Sequence, residues 1–579
     1  MKDTDNIAHI RHSLAHLLAA AVLEIYPNAK PTLGPAIDTG FYYDFKFESP
    51  VSNEDLKEIE KKMRKLLPNW TEFTSKEMSA DEAREFYAGN EFKLELINEI
   101  EKTGEKITFY TCGGFTDLCR GGHAENLSEI DLKSFELDKV AGAYWRGDEK
   151  NPMLTRIYGL AFENSEELDK FKNIREQAVL RDHRKLGKEL DLFTFSDLVG
   201  AGLPLFTPKG TALRNATVEK IYEIQSKYNY KQVWIPHITK PDLYKTSGHW
   251  DKFGDQLFKV KGIESEFVMK PMNCPHHTQI YASTPKSYRD LPVRFTEATT
   301  NYRDEQSGEL LGLSRVRSLT QDDGHVFCTP EQIEQEIRQI VDVIKTFYTK
   351  LGMFDESVYW VRLSVRDPKT PDKYLGDDEI WNHSESILKK IAEEEKLNYK
   401  IGEGEAAFYG PKLDFMFKDA IGREWQLATI QLDFNMPRRF ELEYTDKDGT
   451  KKNPVMIHRA IAGSLERFLS VMIEHFAGDF PLFMAPVQIM IIPIAESHLN
   501  FAEEIEHKLK SEGFRVEIDK SDEGFGKKVR KAKTEKVPYF VIIGDAEVKS
   551  KTLTLESRDA GKIGSISLDS LVEKLNLEK

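Results

Sequence analysis

Two groups of residues in this sequence have types and spacings suited to chemistry. His12 and His16 stand four residues apart, and Cys119 and His123 repeat that interval within FTDLCRGGH. Four residues is about one helical turn, so the first pair shares a helix face. Together the three imidazoles and the thiol make a four-ligand set of the kind zinc accepts. The same histidine pair would also serve ordinary helix packing. The second group runs from Arg289 to Cys328, where Arg303 and Glu305 fall in NYRDE and Arg315 and Arg317 lead to QDDGH. An arginine forks onto a phosphate, and a carboxylate two residues along a strand faces the same side, where it accepts from a base amino group. That combination suggests a nucleotide platform, whereas an isolated R-x-E is ordinarily an exposed salt bridge.

Particular elements are needed to hold these residues. Ser13, Leu14, Leu17 and Leu18 surround the first two histidines at helical spacing, so the chain is expected to open with a helix. RDLPVRFTEATTNYRDE and the run through Arg315 and Arg317 to QDDGH are expected to be strands of an antiparallel hairpin, joined by a long polar loop. Upstream, TALRNATVEKIYEIQSKYNY predicts a helix feeding the strand KQVWIPHI. Between about Val51 and Tyr110 the pattern is of charged helices with a buried apolar stripe, and ENSEELDKFKNIREQAVLRDHRKLGKELDLF reads as one long connector helix. Beyond FPLFMAPVQ, strand and helix patterns alternate (QIMIIPI, FAEEIEHKLKSEGF, RVEID, FGKKVRKAKTEKVP, YFVIIG), which predicts a small α/β domain with a largely parallel sheet. Lys527, Lys528, Arg530, Lys531 and Lys533 give that domain a basic helix, either simply solvated or in contact with RNA.

A length of 579 residues allows three or four domains with real cores, and a net charge of −15 argues against a globally basic nucleic-acid coat. Local Lys/Arg patches can still hold a large RNA. No apolar stretch has the length of a membrane span, and the opening MKDTDNIAHIRHSLAHLL lacks the order of a signal peptide, so a cytoplasmic location without a membrane partner is expected. In that setting Cys112, Cys119, Cys274 and Cys328 read as ligands, nucleophiles or buried thiols rather than disulfide halves.

Four further stretches stand in a fixed order around NYRDE and QDDGH: MKPMNCPHH (Met269 to His277), FYGPKLDF (Phe408 to Phe415), WQLATIQLDF (Trp425 to Phe434) and MIHRAIAGSLERF (Met456 to Phe468). Together they resemble the catalytic core of the threonyl-tRNA synthetases, a class II aminoacyl-tRNA synthetase family, and the resemblance extends over nearly the whole chain. It implies an α+β multidomain fold: an N-terminal α/β editing domain with a helical connector in residues 1–180, a class II antiparallel-sheet catalytic domain in residues 181–483, and a C-terminal α/β anticodon-binding domain in residues 484–579. The small ubiquitin-like domain that often precedes the editing module is expected to be lacking. The helix ahead of KQVWIPHI resembles the segment that builds the family's homodimer interface.

The function implied is that of a threonine–tRNA ligase. It would activate L-threonine with ATP, transfer it to the 3′ end of tRNA(Thr), and hydrolyse seryl-tRNA(Thr) made in error. By resemblance, Cys274, His325 and His458 hold one Zn2+ per subunit, while Asp323, Tyr409 and Gln426 bind threonine. Arg303, Glu305, Arg315, Gln431 and Arg467 bind ATP, which arrives with Mg2+, and Arg303, Arg467 and His249 serve catalysis. Asp322 is expected to be structural, and His276, where the family carries glycine, a harmless neighbour. A site that ligates the substrate hydroxyl rejects valine, but serine differs from threonine by one methyl, worth about 1–3 kcal/mol, and gets through. The editing residues implied are His12, His16, Asp117, Cys119 and His123, working on a water without a bound metal. CRGGH lacks the proline that the family usually places before the histidine, which is expected to loosen that turn. A free-standing deacylase with a relic core and a non-catalytic regulatory paralogue are disfavoured, because Arg303, Glu305, Arg467 and the three zinc-type residues are all present.

Overall fold

His12 and His16 lie on the helix Lys2–Ile25, and the Leu14, Leu17, Leu18 and Val22 side chains of that helix are buried. In the computed structural model, which describes residues 2–578, the chain divides into two compact units with the boundary between Glu176 and Gln177. Within the first unit this helix packs on an antiparallel sheet ordered Lys30–Pro31, Gly40–Lys46, Met153–Ala161, Phe135–Tyr144. The alternation in GFYYDFK turns Phe41, Tyr43 and Phe45 into a common core with the helix. A second antiparallel sheet, Thr74–Glu77, Thr108–Cys112 and Phe115–Leu118, carries Asp117 and leads into Cys119. The expected charged helices form at Leu56–Leu66, Ala80–Phe86 and Glu91–Thr103.

The single connector helix expected after Glu163 is in fact two, Ser165–Arg181 and His183–Glu189. Asp182 breaks it: its backbone is extended (φ −49°, ψ 120°) and its carboxylate caps the second helix by accepting from Arg184 N–H.

The second unit is built on an eight-stranded sheet ordered Lys231–Gln232, Val293–Tyr302, Ser318–Cys328, Val455–Ala460, Glu424–Asp433, Lys412–Lys418, Tyr359–Val365, Tyr399–Glu403. Its six central strands are antiparallel, and only the two edge pairings are parallel. The helix Ile333–Lys350 buries its apolar stripe (Ile337, Ile340, Val341, Ile344, Phe347) in the main core, with Leu465–Phe476 in the same cluster. The hairpin forms as expected, but its strands are shorter. The first ends at Tyr302 and the second begins at Ser318, so Arg303, Glu305, Arg315 and Arg317 sit on the connecting loop rather than on a strand face. KQVWIPHI is split into the strand Lys231–Gln232 and the start of Ile238–Thr239, which belongs to another sheet, because Ile235 N–H donates to the Glu297 carboxylate (3.0 Å) instead of to a neighbouring strand, and Pro236 has no N–H to give.

The C-terminal sheet, ordered Val516–Ile518, Ile489–Pro493, Tyr539–Ile543, Leu553–Ser557, Gly561–Ile566, is mixed rather than largely parallel. Its first three strands are parallel, and Leu553–Ser557 runs antiparallel to both of its neighbours, the tight turn at Asp559–Ala560 returning the chain directly into Gly561–Ile566. Among the described residues no helix is long and apolar enough to cross a membrane.

Candidate functional site

The antiparallel strands of the second unit bring distant residues to one cavity of about 310 Å3, lined by Arg303, Glu305, Arg315, Asp323, His325, Tyr409, Gln426, Gln431, His458 and Arg467. Arg303 stands over the Phe253 ring (5.0 Å), and its buried Nε has no hydrogen-bond partner in the structure. Burial pulls its pKa down, as does Arg467, and Glu305 opposes them. Arg467 donates to Ser314 O (3.2 Å), tying the helix Leu465–Phe476 to the loop. Glu305 is held by Arg315 through Nε and Nη2 (2.9 and 2.7 Å), so those two pair with each other and not with Arg303. Three arginines converging on a pocket with an open donor suit a polyanion such as a nucleoside triphosphate.

At the end of the cavity, Cys274, His325 and His458 are all buried, and their ligand atoms lie within 4.8 Å of one another. The register explains the meeting, since His325 and His458 face each other on neighbouring strands and His458 in turn faces Gln431. Cys274 begins the helix Cys274–Ala282. His325 Nε2 and His458 Nδ1 are 3.1 Å apart, close to the roughly 3.3–3.6 Å between ligand atoms of a tetrahedral zinc. The far nitrogens are engaged, His325 Nδ1 by His277 Nδ1 (2.7 Å) and His458 Nε2 by Asp433 (3.0 Å), which aims the other nitrogen of each ring inward. Burial, reinforced by Asp323 and Asp433, holds the Cys274 thiol well above its usual range, so a cation is what would let it shed its proton. The donor set fits zinc with one position left open.

The other expected residues surround that triad. Tyr409 donates to Gln431 Oε1 (2.5 Å), its ring 5.0 Å from that of His458. Gln426 donates to the buried Asp414 (2.7 Å). Asp323 Oδ1 is 3.7 Å from His325 Nε2, and its Oδ2 accepts from Asn273 (3.1 Å). Asp322 points the other way, into Arg459 (2.6 Å) and the N–H groups of Ile461 and Ala462. Gly324 lets that guanidinium pass, for a Cβ there would lie 2.4 Å from it. His249 is buried beside Cys274, its Nε2 3.8 Å from Sγ, and burial with nearby His458 and Arg303 pushes its pKa down to about 3. His276 is buried with neither ring nitrogen bonded.

In the first unit, a cavity of about 550 Å3 is lined by His12, His16, Lys93, Asp117 and Cys119. Cys119 Sγ lies 3.5 Å from His12 Nε2 and from His123 Nε2, and Phe73 stacks on His123 with ring centroids 3.9 Å apart. The four donor atoms of His12, His16, Cys119 and His123 fall within 4.8 Å of one another. Gly121 and Gly122 (φ +91° and +85°) bend the chain so that His123 returns to Cys119, and Gly122 O faces His12 Nδ1 (3.1 Å). A proline could not adopt that φ at position 122, so the turn is differently built rather than merely looser. Burial opposes ionisation of His16, yet Asp117 (3.4 Å) and Cys119 outweigh it and raise its pKa to about 9. Burial likewise opposes the Cys119 thiolate, but His12, His123 and His16 bring its pKa down to about 4.

Several residues at these sites were not singled out from the sequence. Lys93 (2.5 Å), Tyr43 and Tyr87 (2.6 Å each) all contact Asp117. Burial disfavours that carboxylate, but the Lys93 and His16 charges keep its pKa far below the usual range. Lys93 did leave a signal, since it falls in the buried phase of its helix with Phe92 and Ile97. Lys270, Asn273 and His277 lie in MKPMNCPHH, where only Cys274 and His276 stood out.

Comparison with known proteins gives three family matches: "tRNA synthetase class II core domain (G, H, P, S and T)" over residues 258–476, "Anticodon binding domain" over residues 488–577, and "Threonyl and Alanyl tRNA synthetase second additional domain" over residues 107–158. The chain is 49% identical over 568 residues to a threonine–tRNA ligase of Gloeobacter violaceus, covering 97% of this chain and 90% of that one. It is 47% identical to a threonine–tRNA ligase of Thermosynechococcus vestitus, covering 99% and 95%. The crystal structure of the RNA binding domain of threonyl-tRNA synthetase from Cryptosporidium parvum superposes with a TM-score of 0.65 at 37% identity, covering 69% of this chain and 98% of that one.

Proposed function

The chain belongs to the threonyl-tRNA synthetase family, and from that premise we propose that it activates L-threonine with ATP, esterifies the 3′ end of tRNA(Thr), and hydrolyses seryl-tRNA(Thr) in its N-terminal unit. The observation that carries this reading is the convergence of Cys274, His325 and His458 at the end of a cavity whose other end is lined by Arg303 and Arg467. Cys274, His325 and His458 would hold a zinc ion, which would supply a Lewis-acidic position for threonine.

The chain's own residues do the rest. Asp323 accepts a hydrogen bond from the substrate hydroxyl, and Tyr409 and Gln426 shape the pocket around the amino acid. The unpartnered Arg303 Nε is available to an α-phosphate oxygen, and Arg467 is assigned to the γ-phosphate. Glu305 and Arg315, now paired, take the adenine end, and Gln431 completes the nucleotide side. The threonine carboxylate attacks the α-phosphorus in line and pyrophosphate leaves with the electron pair; the arginines neutralise charge on the phosphoryl oxygens. His249, neutral and behind Cys274, is the candidate for assisting transfer to the ribose.

In the N-terminal unit the arrangement supports attack of a water on the seryl ester beside Cys119 and the three imidazoles, with Lys93 keeping Asp117 ionised and Asp117, with Cys119, holding His16 charged. The basic helix Phe525–Thr534 is assigned to the anticodon arm, and ATP enters with Mg2+. A homodimer is supported by exposed Trp234 (76% accessible) and Ile238, which follow the edge strand Lys231–Gln232 in the chain. The site of action is the cytoplasm. The test is ATP–pyrophosphate exchange with threonine, serine and valine, together with hydrolysis of seryl-tRNA(Thr). Exchange with threonine and serine but not valine is expected, and exchange with valine at the threonine rate would overturn the reading.

A further inference from the structure

Lys270 has no exposed surface, and among the described residues it has no carboxylate partner. Its ammonium donates to two neutral oxygens, Asn273 Oδ1 (3.0 Å) and Thr299 Oγ1 (2.8 Å). Burial lowers its pKa to about 8 against the opposing fields of Glu297 and Asp323. Burying a cation against neutral partners is costly, so its position calls for a physical reason.

Donor and acceptor bookkeeping supplies one. An ammonium can only donate, so the Asn273 atom facing Lys270 must be the amide oxygen. The amide nitrogen then faces Asp323 Oδ2 at 3.1 Å, and that nitrogen can only donate. Asp323 Oδ1 accepts from Gly324 N–H (3.0 Å). Every protein group bonded to the Asp323 carboxyl is therefore a donor, which favours its ionised form and presents lone pairs to the cavity it lines.

We propose that Asn273, oriented by Lys270, is a specificity-determining positioning residue that keeps Asp323 an obligate acceptor toward the side-chain hydroxyl of a β-hydroxy amino acid. This rests on the reading that Asp323 takes the threonine hydroxyl. Valine presents a methyl group to the same oxygen and leaves a buried acceptor unpaired.

The test is ATP–pyrophosphate exchange with threonine, serine and valine in Asn273→Ala, Lys270→Met, Lys270→Gln and Asp323→Asn, with zinc content measured on each protein. Asn273→Ala is expected to lower kcat/KM for threonine and serine equally, by about 10- to 100-fold and mostly through KM, the range of one hydrogen bond to a charged group. KM for ATP should stay within about twofold, zinc content should hold, and the threonine-to-valine ratio should fall by the same factor as threonine activation. Lys270→Met follows in the same direction, and Lys270→Gln, which keeps a donor, recovers most of the loss. If Asn273→Ala does not fold, the two Lys270 variants decide. Equal loss for all three amino acids, or a loss expressed in the ATP KM, would overturn the proposal. If Asp323→Asn lowers hydroxyl selectivity while Asn273→Ala and Lys270→Met do not, the positioning role alone fails. If Asp323→Asn leaves selectivity intact, the reading of Asp323 fails and the proposal with it.

Discussion

Adjacent carboxylates in QDDGH have opposite jobs, and replacing each separates them. Asp322 is buried against Arg459, itself among the largest fully buried side chains, at 2.6 Å, and it also accepts from the N–H groups of Ile461 (2.7 Å) and Ala462 (3.0 Å). Asp322→Ala leaves a buried guanidinium without its partner, a cost of about 3–5 kcal/mol. It also orphans two buried N–H groups at about 1–3 kcal/mol each. The sum is at least about 5 kcal/mol, comparable with the whole stability of a typical domain at about 5–15 kcal/mol. Little folded catalytic unit should survive, whereas Asp322→Asn, which keeps an acceptor for the backbone donors, should lose less. Asp323 is different: it has no buried guanidinium to leave unpaired, only the Asn273 amide and the Gly324 N–H, and burial pushes its pKa up against the help of His277 and Asn273, so its removal costs less than that of Asp322. Asp323→Ala should stay folded and lose threonine activation. Urea unfolding followed by intrinsic fluorescence measures the first effect and pyrophosphate exchange the second. An Asp322→Ala protein within about 1 kcal/mol of the parent would refute the argument.

Three further outcomes follow from the same geometry. His12→Ala combined with His16→Ala should leave threonine charging unchanged while seryl-tRNA(Thr) accumulates, and unchanged hydrolysis of isolated seryl-tRNA(Thr) would remove the N-terminal assignment. Seryl-tRNA hydrolysis should be flat from about pH 5 to pH 8, because His16 keeps its proton until pH rises through about 9 and Cys119 stays a thiolate until pH falls through about 4. A break in that rate from His16 or Cys119 inside this window would contradict it. By linkage, the raised His16 pKa also adds stability that is fully present below its unfolded value and is lost as pH rises through about 9, and unfolding free energies unchanged between about pH 7 and pH 10 would count against that. Trp234→Asp should convert a dimer to monomer in sedimentation velocity, and an unaltered dimer would place the interface elsewhere.

Much of the catalytic unit was legible because the strands around the cavity carry long distinctive runs, and strand register then brings His325 opposite His458 without further information. Helices with a clear apolar stripe, such as Ile333–Lys350, follow from periodicity. What the sequence hid was set by tertiary partners. The strand in KQVWIPHI gives way because a carboxylate from another strand, Glu297, takes the Ile235 N–H. Arg303 and Glu305 left the strand because the loop between the hairpin arms is pinned at Ser314 by Arg467 and at Leu313 N–H by His183. Lys270 looked like an ordinary charge because its second acceptor, Thr299, lies on a remote strand, and Lys93 showed only in the buried phase of its helix, its partner Asp117 lying on a remote strand. Asp182, an N-cap within a charged run, had the right chemistry to be seen, but the helical pattern continues on both sides of it.

The most direct test of the account is zinc content per chain measured alongside threonine activation, in the parent protein and in Cys274→Ser. One equivalent of zinc with full activation in the parent, and loss of both in the variant while seryl-tRNA(Thr) hydrolysis persists, is the predicted result. Threonine activation undiminished in a zinc-free Cys274→Ser protein would contradict it.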